Sequence, residues 1–334
     1  MEHNEKLIEE FCKRVHKIHH NRKIALITSG GTIVPIEKRM VRFIDNFSQG
    51  YRGAFSAEYL LQQNYSVIFL NRKHSKKPFH SHFDKCILDM IEPDSFKEGF
   101  IVKQYENQKI NKFYKIYHEF QSDGASLLEI EFQTVTQYLN LLEKSCRILN
   151  QFNKLALIYL SAAVSDFYIP DEKQALDKIS STGKSSLTLT LYPVPKLLGK
   201  VKSDWAPNAF VVSFKLETDE DLLVKTATNS LLTYGQDIVV ANLLATKTST
   251  VQIINRQNLA PSNHSITYNH NNSDATKEGV DKMGRNTEEE VIEKQVLALT
   301  EDQIAGDVKI EELLVREIVG RHEIYISSPL SITC

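Results

Sequence analysis

Residues 24–71 constrain this chain more than any other stretch. An apolar run, Ile24-Ala-Leu-Ile-Thr28, leads straight into Ser29-Gly30-Gly31-Thr32. A second turn of small residues, Ser48-Gln-Gly50-Tyr-Arg-Gly53, precedes a helical pattern from about Ala54, and a further apolar strand over 66–70 closes the unit. Strand, glycine turn and helix in this order form a unit that cradles phosphate. Glycines let backbone N–H groups come close, hydroxyls add donors, and the helix N-terminus favours an anion. The turn is neither GxGxxG nor a P-loop, since no Gly-Lys-Ser/Thr follows. A plain tight turn that needs glycine conformations reads equally well. What sets the unit apart is the long stretch between strand and helix, which carries Arg42, Asp45 and Asn46.

Further strand patterns lie at 155–160, 210–214 and 238–241, most of them continuously apolar, as strands covered on both faces are. Helical patterns fall at about 4–20, 54–63, 134–149, 195–202 and 219–233. This alternation predicts an α/β fold with a doubly wound, mostly parallel sheet. Residues 187–192 alternate like a strand, 287–320 read as helical, and 323–327 read as an edge strand. Two polar segments, about 73–125 and 245–290, break the scheme and are taken as insertions in a single domain spanning 1–334. The basic run 72–77 reads as a solvated loop rather than a binding patch.

The chain has 334 residues and a formal net charge of −2, which argues against a nucleic-acid binder. Its four cysteines, Cys12, Cys86, Cys146 and Cys334, show no metal or redox spacing. A reduced, intracellular protein is expected, with no signal peptide and no membrane span.

Several strand ends carry candidate chemistry. The side-chain amide of Asn46 can donate to a carbonyl that becomes an oxyanion, although Asn46 and Ser48 also suit turns and helix caps. Ser161-Ala162-Ala163-Val-Ser-Asp166 follows a buried strand, so it should lie at the carboxyl edge of the sheet, where α/β folds bind ligands. Asp166 can accept hydrogen bonds from a ligand or cap the next turn. Lys178 sits in a polar loop, either solvated or able to swing over a triphosphate. Pro195-Lys196 begins a helix. Phe214 ends a strand and can stack on a base or simply fill the core. Asn242 ends another strand in the same row. No Ser–His–Asp or Cys–His arrangement follows from spacing, and no metal-ligand set is assigned.

Taken together, TSGGT, VRFIDNFSQGYRGAFSAEYLL, LSAAVSDFY, KIS, PVPKLL, VSFKLETD and DIVVANLL, in this order, resemble the eukaryotic phosphopantothenate–cysteine ligases. The resemblance covers about 23–72 and 155–245, and more loosely 288–326. It implies a modified Rossmann-like fold, a dimerisation flap and a homodimer. It also implies joining of phosphopantothenate to L-cysteine through an acyl-nucleotide, in coenzyme A biosynthesis. Mg²⁺ would accompany the nucleoside triphosphate, with CTP slightly favoured over ATP.

By the same resemblance, Asn46 and Lys178 would be catalytic. Gly30, Gly31, Arg42, Ser48, Gly50 and Gly53 would line the phosphate-bearing substrates. Ser161, Ala162, Ala163, Asp166, Lys196, Phe214 and Asn242 would form the nucleotide site. No nucleic-acid or membrane partner is implied. A cytoplasmic or also nuclear location, and association with other coenzyme A enzymes, are compatible with it. Two other functions compete: a Rossmann-type oxidoreductase and a non-catalytic nucleotide-binding protein. The first predicts an acidic residue at the end of the second strand, where this chain has Asn71-Arg72.

Overall fold

The computed structural model describes residues 2–83, 87–182, 186–257 and 292–329. Its centre is an eight-stranded sheet. The strands in chain order are β1 (Ile24–Ser29), β2 (Ser66–Arg72), β3 (Leu127–Phe132), β4 (Ala156–Leu160), β5 (Phe210–Glu217), β6 (Ile238–Leu243), β7 (Thr250–Arg256) and β8 (Ile292–Ala298). Their spatial order is 3-2-1-4-5-6-7-8. The first six are parallel to their neighbours, and β7 and β8 add on antiparallel. Strand order reverses between β1 and β4, which opens a crevice at their carboxyl ends, where such sheets bind ligands.

The long helices are α1 (Glu2–Ile18), α2 (Tyr51–Gln62), α3 (Gln104–Ser122), α4 (Val135–Leu149), α5 (Glu220–Tyr234) and α6 (Ile310–Ser327). Period-2 alternation sends Ile24, Leu26, Ile158 and Val211 to one face of the sheet, under α1 and α4. It sends Ala25, Ile27, Tyr159 and Val212 to the other, under α2, α6 and part of α3. α5 covers β6 and β7 on the first face. Every residue of β1 is buried, which accounts for its unbroken apolar run. The doubly wound prediction therefore holds.

The differences lie mostly at the edges. β3, β7 and β8 were not foreseen. The helical reading of 287–320 gives way to β8 followed by short and long helices, and residues 323–327 are the last turns of α6, not a strand. Residues 187–191 form no strand; only Tyr192–Pro193 pairs, with Phe167–Tyr168. The helix expected over 195–202 is a short turn at Leu198–Lys200 continued by a wider one to Trp205. Segment 73–125 contains a small hairpin (Ile91–Pro93 with Phe100–Val102) and α3. Segment 245–290 contains β7, and its remainder from 258 lies outside the described residues, as do Cys86 and Cys334. Cys12 and Cys146 are buried free thiols, and burial pushes the Cys12 thiol up to about 12.

Candidate active site

Three turns converge at the carboxyl ends of β1, β2 and β4. The turn after β1 is laced to the turn after β4. Ala163 N–H donates to Gly30 O at 2.8 Å, and Thr32 N–H donates to Ala163 O at 3.0 Å. The Ser161 hydroxyl donates to Thr28 O at 2.6 Å, and Ser165 N–H donates to Thr32 Oγ1 at 2.9 Å. Ala162 N–H reaches Thr28 Oγ1 at 3.3 Å. Small residues in both segments allow this approach.

The segment after Thr32 forms a hairpin, Ile33–Pro35 with Phe43–Asp45, that carries Asn46 back over the first turn. Asn46 N–H donates to Thr32 O at 3.1 Å. Gly31 lies directly beneath: a Cβ there would sit 1.6 Å from Asn46 O. Gly31 is thus required by close backbone approach. Gly30 has φ +85° and packs under the Cβ atoms of Arg72 and Ser75. Gly30 thus has the glycine conformation that a tight turn needs, while Gly31 admits a neighbouring protein segment. The half-buried Asn46 side chain has no hydrogen-bond partner among the described residues.

Helix α2 starts at Tyr51, three residues earlier than expected, and its N-cap is Gly50, with no side-chain cap. Ser48 is therefore not the cap, and no side chain caps the start of α2. Gly53, in that first turn, fits between Ser29 and Ser161. The run 72–77 is a solvated loop only in part: Lys73 and His74 are exposed, while Arg72 and Lys77 are engaged. Arg72 forks onto Asp45 at 2.6 and 3.1 Å, and Lys77 pairs with Glu129 and Glu131, each at 3.1 Å. Its Ser75 also packs near Gly30 and Gly50.

Arg42 does not point free into the crevice. It donates through Nε to Glu37 at 2.9 Å and through Nη2 to Ile179 O at 2.9 Å, with a second, closer contact to Glu37. Glu37 is fully buried. Burial pushes its carboxyl up, but hydrogen bonds and charge from Arg42, with help from the Ile179 amide, outweigh this and hold it below the usual carboxylate range. Lys38 N–H also donates to Ala175 O at 2.9 Å. This lattice carries the 175–179 loop, whose Lys178 is exposed.

The other nucleotide-site candidates are spread along the sheet edge. Asp166 and Lys196 face each other at 3.4 Å and are largely exposed, so the pair adds little stability. Phe214 is half-buried and tilts against Tyr159 at 5.0 Å between ring centres, largely a core contact. Asn242 is buried, and both ends of its amide are engaged. Its Nδ2 donates to Lys215 O and Val240 O, and its Oδ1 accepts from Arg52 at 3.1 Å. Arg52 in turn pairs with Glu311 at 2.8 Å, tying α2 to α6. Arg52, Arg72 and Glu37 were missed by sequence reasoning. Arg52 and Arg72 have partners 259 and 27 positions away, Glu311 and Asp45, and Glu37, besides Arg42 five positions on, holds Ile179 at a separation of 142, so sequence spacing does not announce these links. Among the described residues, no group of three or more His, Cys, Asp or Glu side chains could hold a metal ion, and no helix is long and apolar enough to cross a membrane.

Comparison with known proteins bears on this site. Residues 125–280 match the model of the DNA/pantothenate metabolism flavoprotein C-terminal domain. The phosphopantothenate–cysteine ligase of Mus musculus is 37% identical over 91% of this chain and 88% of its own length. That of Saccharomyces cerevisiae, CAB2, is 40% identical over 75% of this chain and 72% of its own. A solved structure of the Cab2 mutant H337A in complex with phosphopantothenate-cysteine superposes with a TM-score of 0.78 at 34% identity, covering 98% of this chain and 94% of that one. The flavoprotein of Streptococcus pneumoniae shares the fold, with a TM-score of 0.53 at 21% identity. At this identity and coverage, this chain belongs to the phosphopantothenate–cysteine ligases.

Proposed function

We propose that this protein joins phosphopantothenate to L-cysteine at the expense of a nucleoside triphosphate, in coenzyme A biosynthesis. The observation that carries the reading is Asn46: an unpartnered amide on a backbone held from both sides, at the switch point of the sheet. A free carboxylate does not condense with an amine in water without activation. The carboxylate attacks the α-phosphate, releasing pyrophosphate. The cysteine amine then attacks the acyl-nucleotide carbonyl, releasing the nucleoside monophosphate. The Asn46 amide donates to that carbonyl oxygen as it gains charge, and its fixed backbone means little reorganisation is needed.

The first turn of α2, with Gly50 and Gly53, together with Ser48, Gly30 and Gly31, supplies main-chain and hydroxyl donors to the phosphate-bearing substrates. Ser161, Ala162, Ala163, Asp166, Lys196 and Phe214 form the nucleotide side of the crevice. Asn242 acts there through Arg52 and its strand end, since its own amide is occupied. Lys178, on a loop braced by Arg42 and Glu37, neutralises charge on the departing pyrophosphate. Mg²⁺ would arrive on the triphosphate rather than sit in a protein-built cage, since the described residues offer no group of three or more His, Cys, Asp or Glu side chains, and Asp166 would help hold it. Bound so, it would screen phosphate charge. CTP is slightly favoured over ATP.

A homodimer fits the exposed apolar residues on and beside the hairpin, Val41, Phe43 and Phe47, and in the segments after β4, Phe167, Leu176 and Leu187. The central test supplies purified protein with phosphopantothenate, cysteine, Mg²⁺ and either CTP or ATP. Pyrophosphate and amide product are expected, with Asn46→Ala folded but slowed by about a hundredfold or more. Absence of pyrophosphate with both nucleotides would remove the ligase reading.

A further inference from the structure

The role proposed for Asn46 depends on its backbone standing still, and the hairpin that carries it is short. Its second strand, Phe43–Asp45, pairs only with Ile33–Pro35 and lies outside the main sheet. Three contacts hold its end. Asn46 N–H is bonded to Thr32 O at 3.1 Å, Asn46 O rests on Gly31, and Asp45 is gripped by Arg72. The first two come from the turn that precedes the hairpin. Of these, only the third reaches the adjacent strand of the main sheet; further along, Lys76 N–H, in the run after β2, donates to Gln49 O at 2.8 Å.

Arg72 is the last residue of β2, next to β1 in parallel register. Its Cβ packs over Gly30, and its guanidinium offers two parallel donors to both Asp45 oxygens, at 2.6 and 3.1 Å. A forked pair of this kind fixes direction as well as distance. The arginine side chain is 18% exposed and the aspartate 35%, so water screens the pair only in part.

We infer that Arg72 is a positioning residue for amide formation: by clamping Asp45 to the end of β2, it sets the neighbouring Asn46 against the reacting carbonyl. The inference rests on the proposed role of Asn46, and it assigns Arg72 no contact with substrate. Lysine at this position keeps the charge but loses the fork.

The test uses the full-length protein in five forms: wild type, Arg72→Lys, Arg72→Asp, Asp45→Arg, and the swapped double variant Arg72→Asp/Asp45→Arg. Two quantities are read: hydrogen–deuterium exchange of the peptide spanning 42–50, and kcat and KM for amide product. Arg72→Asp should raise exchange in that peptide and lower kcat by about a hundredfold, as expected for a displacement near 1 Å, with KM changed by only a few-fold. Arg72→Lys should lose roughly tenfold, and the swapped variant should recover most of the loss in both readouts. Unchanged exchange in Arg72→Asp would overturn the clamp, whatever the activity. A swapped variant that melts like wild type, yet recovers neither exchange nor kcat, would also overturn it. Altered and restored exchange with kcat constant throughout would overturn the catalytic consequence. Asn46→Ala, run in parallel, then shows whether the fault lies in the reading of Asn46: if that variant is also fully active, Asn46 rather than the clamp was misjudged.

Discussion

Replacing Gly31 by alanine tests the packing of the site with a single carbon atom. The added Cβ would lie 1.6 Å from Asn46 O, 2.8 Å from the Asn46 carbonyl carbon and 3.2 Å from Ser48 N. The obstacles are backbone atoms, so no side chain can swing aside. The 43–48 segment must retreat by roughly 1.5–2 Å to regain van der Waals separation. Overpacking of this kind costs about 1–3 kcal/mol, and loss of the Asn46 N–H to Thr32 O bond adds about 1 kcal/mol. Together these amount to about 2–4 kcal/mol. For a chain of this size, that should lower the melting temperature by roughly 3–6 °C. The chemical effect should be larger than the thermal one suggests, because Asn46 rides on the displaced segment. A shift above 1 Å predicts a loss of about a hundredfold or more in amide formation. Scanning fluorimetry and single-turnover assays at a temperature where the variant is fully folded would separate the two effects. A Gly31→Ala protein that melts within a degree of wild type and turns over within twofold of it would refute the argument.

Three further outcomes are expected. Glu37→Gln should loosen the 175–179 loop, seen as faster proteolytic nicking there, and slow pyrophosphate release by up to about a hundredfold through Lys178; an intact, equally protected loop would count against the lattice. Lys178→Ala should slow pyrophosphate release while leaving the melting temperature unchanged, because the side chain is exposed; an unaltered rate would make the lysine a bystander. His322 is buried, and burial lowers its pKa to about 4. Its Nε2–H donates to Lys154 O at 2.8 Å, which leaves Nδ1 to accept from the Tyr65 hydroxyl at 2.8 Å, so the folded ring is neutral. The unfolded chain takes up the proton first as pH drops. Stability from this group is therefore complete above its ordinary value of 6.5 and declines by up to about 3 kcal/mol as pH falls to about 4. Urea melts from pH 7.5 to 4.5 should show this loss, less steep in His322→Gln; identical slopes would refute it.

The central strands were legible because burial on both faces leaves an unbroken apolar word in the sequence, as in β1 and β4. Edge strands leave no such word. β8 has one residue after another half-exposed or exposed, with Glu293 and Lys294 near its start, and its composition suits a helix equally well. Ile324-Tyr-Ile326 has strand-forming residues, yet it continues α6. The buried Arg321, bonded to Glu317 and Gln295, and His322, bonded to Tyr65 and Lys154, hold that helix in place. Tertiary partners here override local propensity. The Ser29–Thr32 and Ser161–Asp166 turns were placed correctly at the sheet edge, since the strand before each is unmistakable. What those turns do was less legible, because the neighbour that makes Gly31 necessary is a backbone oxygen on another segment.

That distinction bears on how the site works. A glycine turn read as a phosphate cradle leads to the expectation that its glycines face ligand. In this chain, a Cβ on Gly31 or Gly30 would meet Asn46, Arg72 and Ser75, so any donation to ligand comes from their main-chain N–H groups. Two further sets of donors stand beside that turn: the start of α2, whose N-cap makes no side-chain bond, and the amide of Asn46. The two suit different tasks. Helix amides act on an anion that is charged throughout, so they favour bound phosphate in ground and transition states alike. A single amide aimed at a carbonyl gains most when that oxygen becomes negative, and so acts on the barrier. Tight packing beneath Asn46 removes motion that would otherwise have to be frozen in the transition state. On this reading, the glycines contribute to catalysis by admitting the segments that hold the amide still. Enlarging Gly31 should therefore lower kcat far more than it weakens nucleotide binding, whereas removing main-chain donation at the start of α2 should do the reverse.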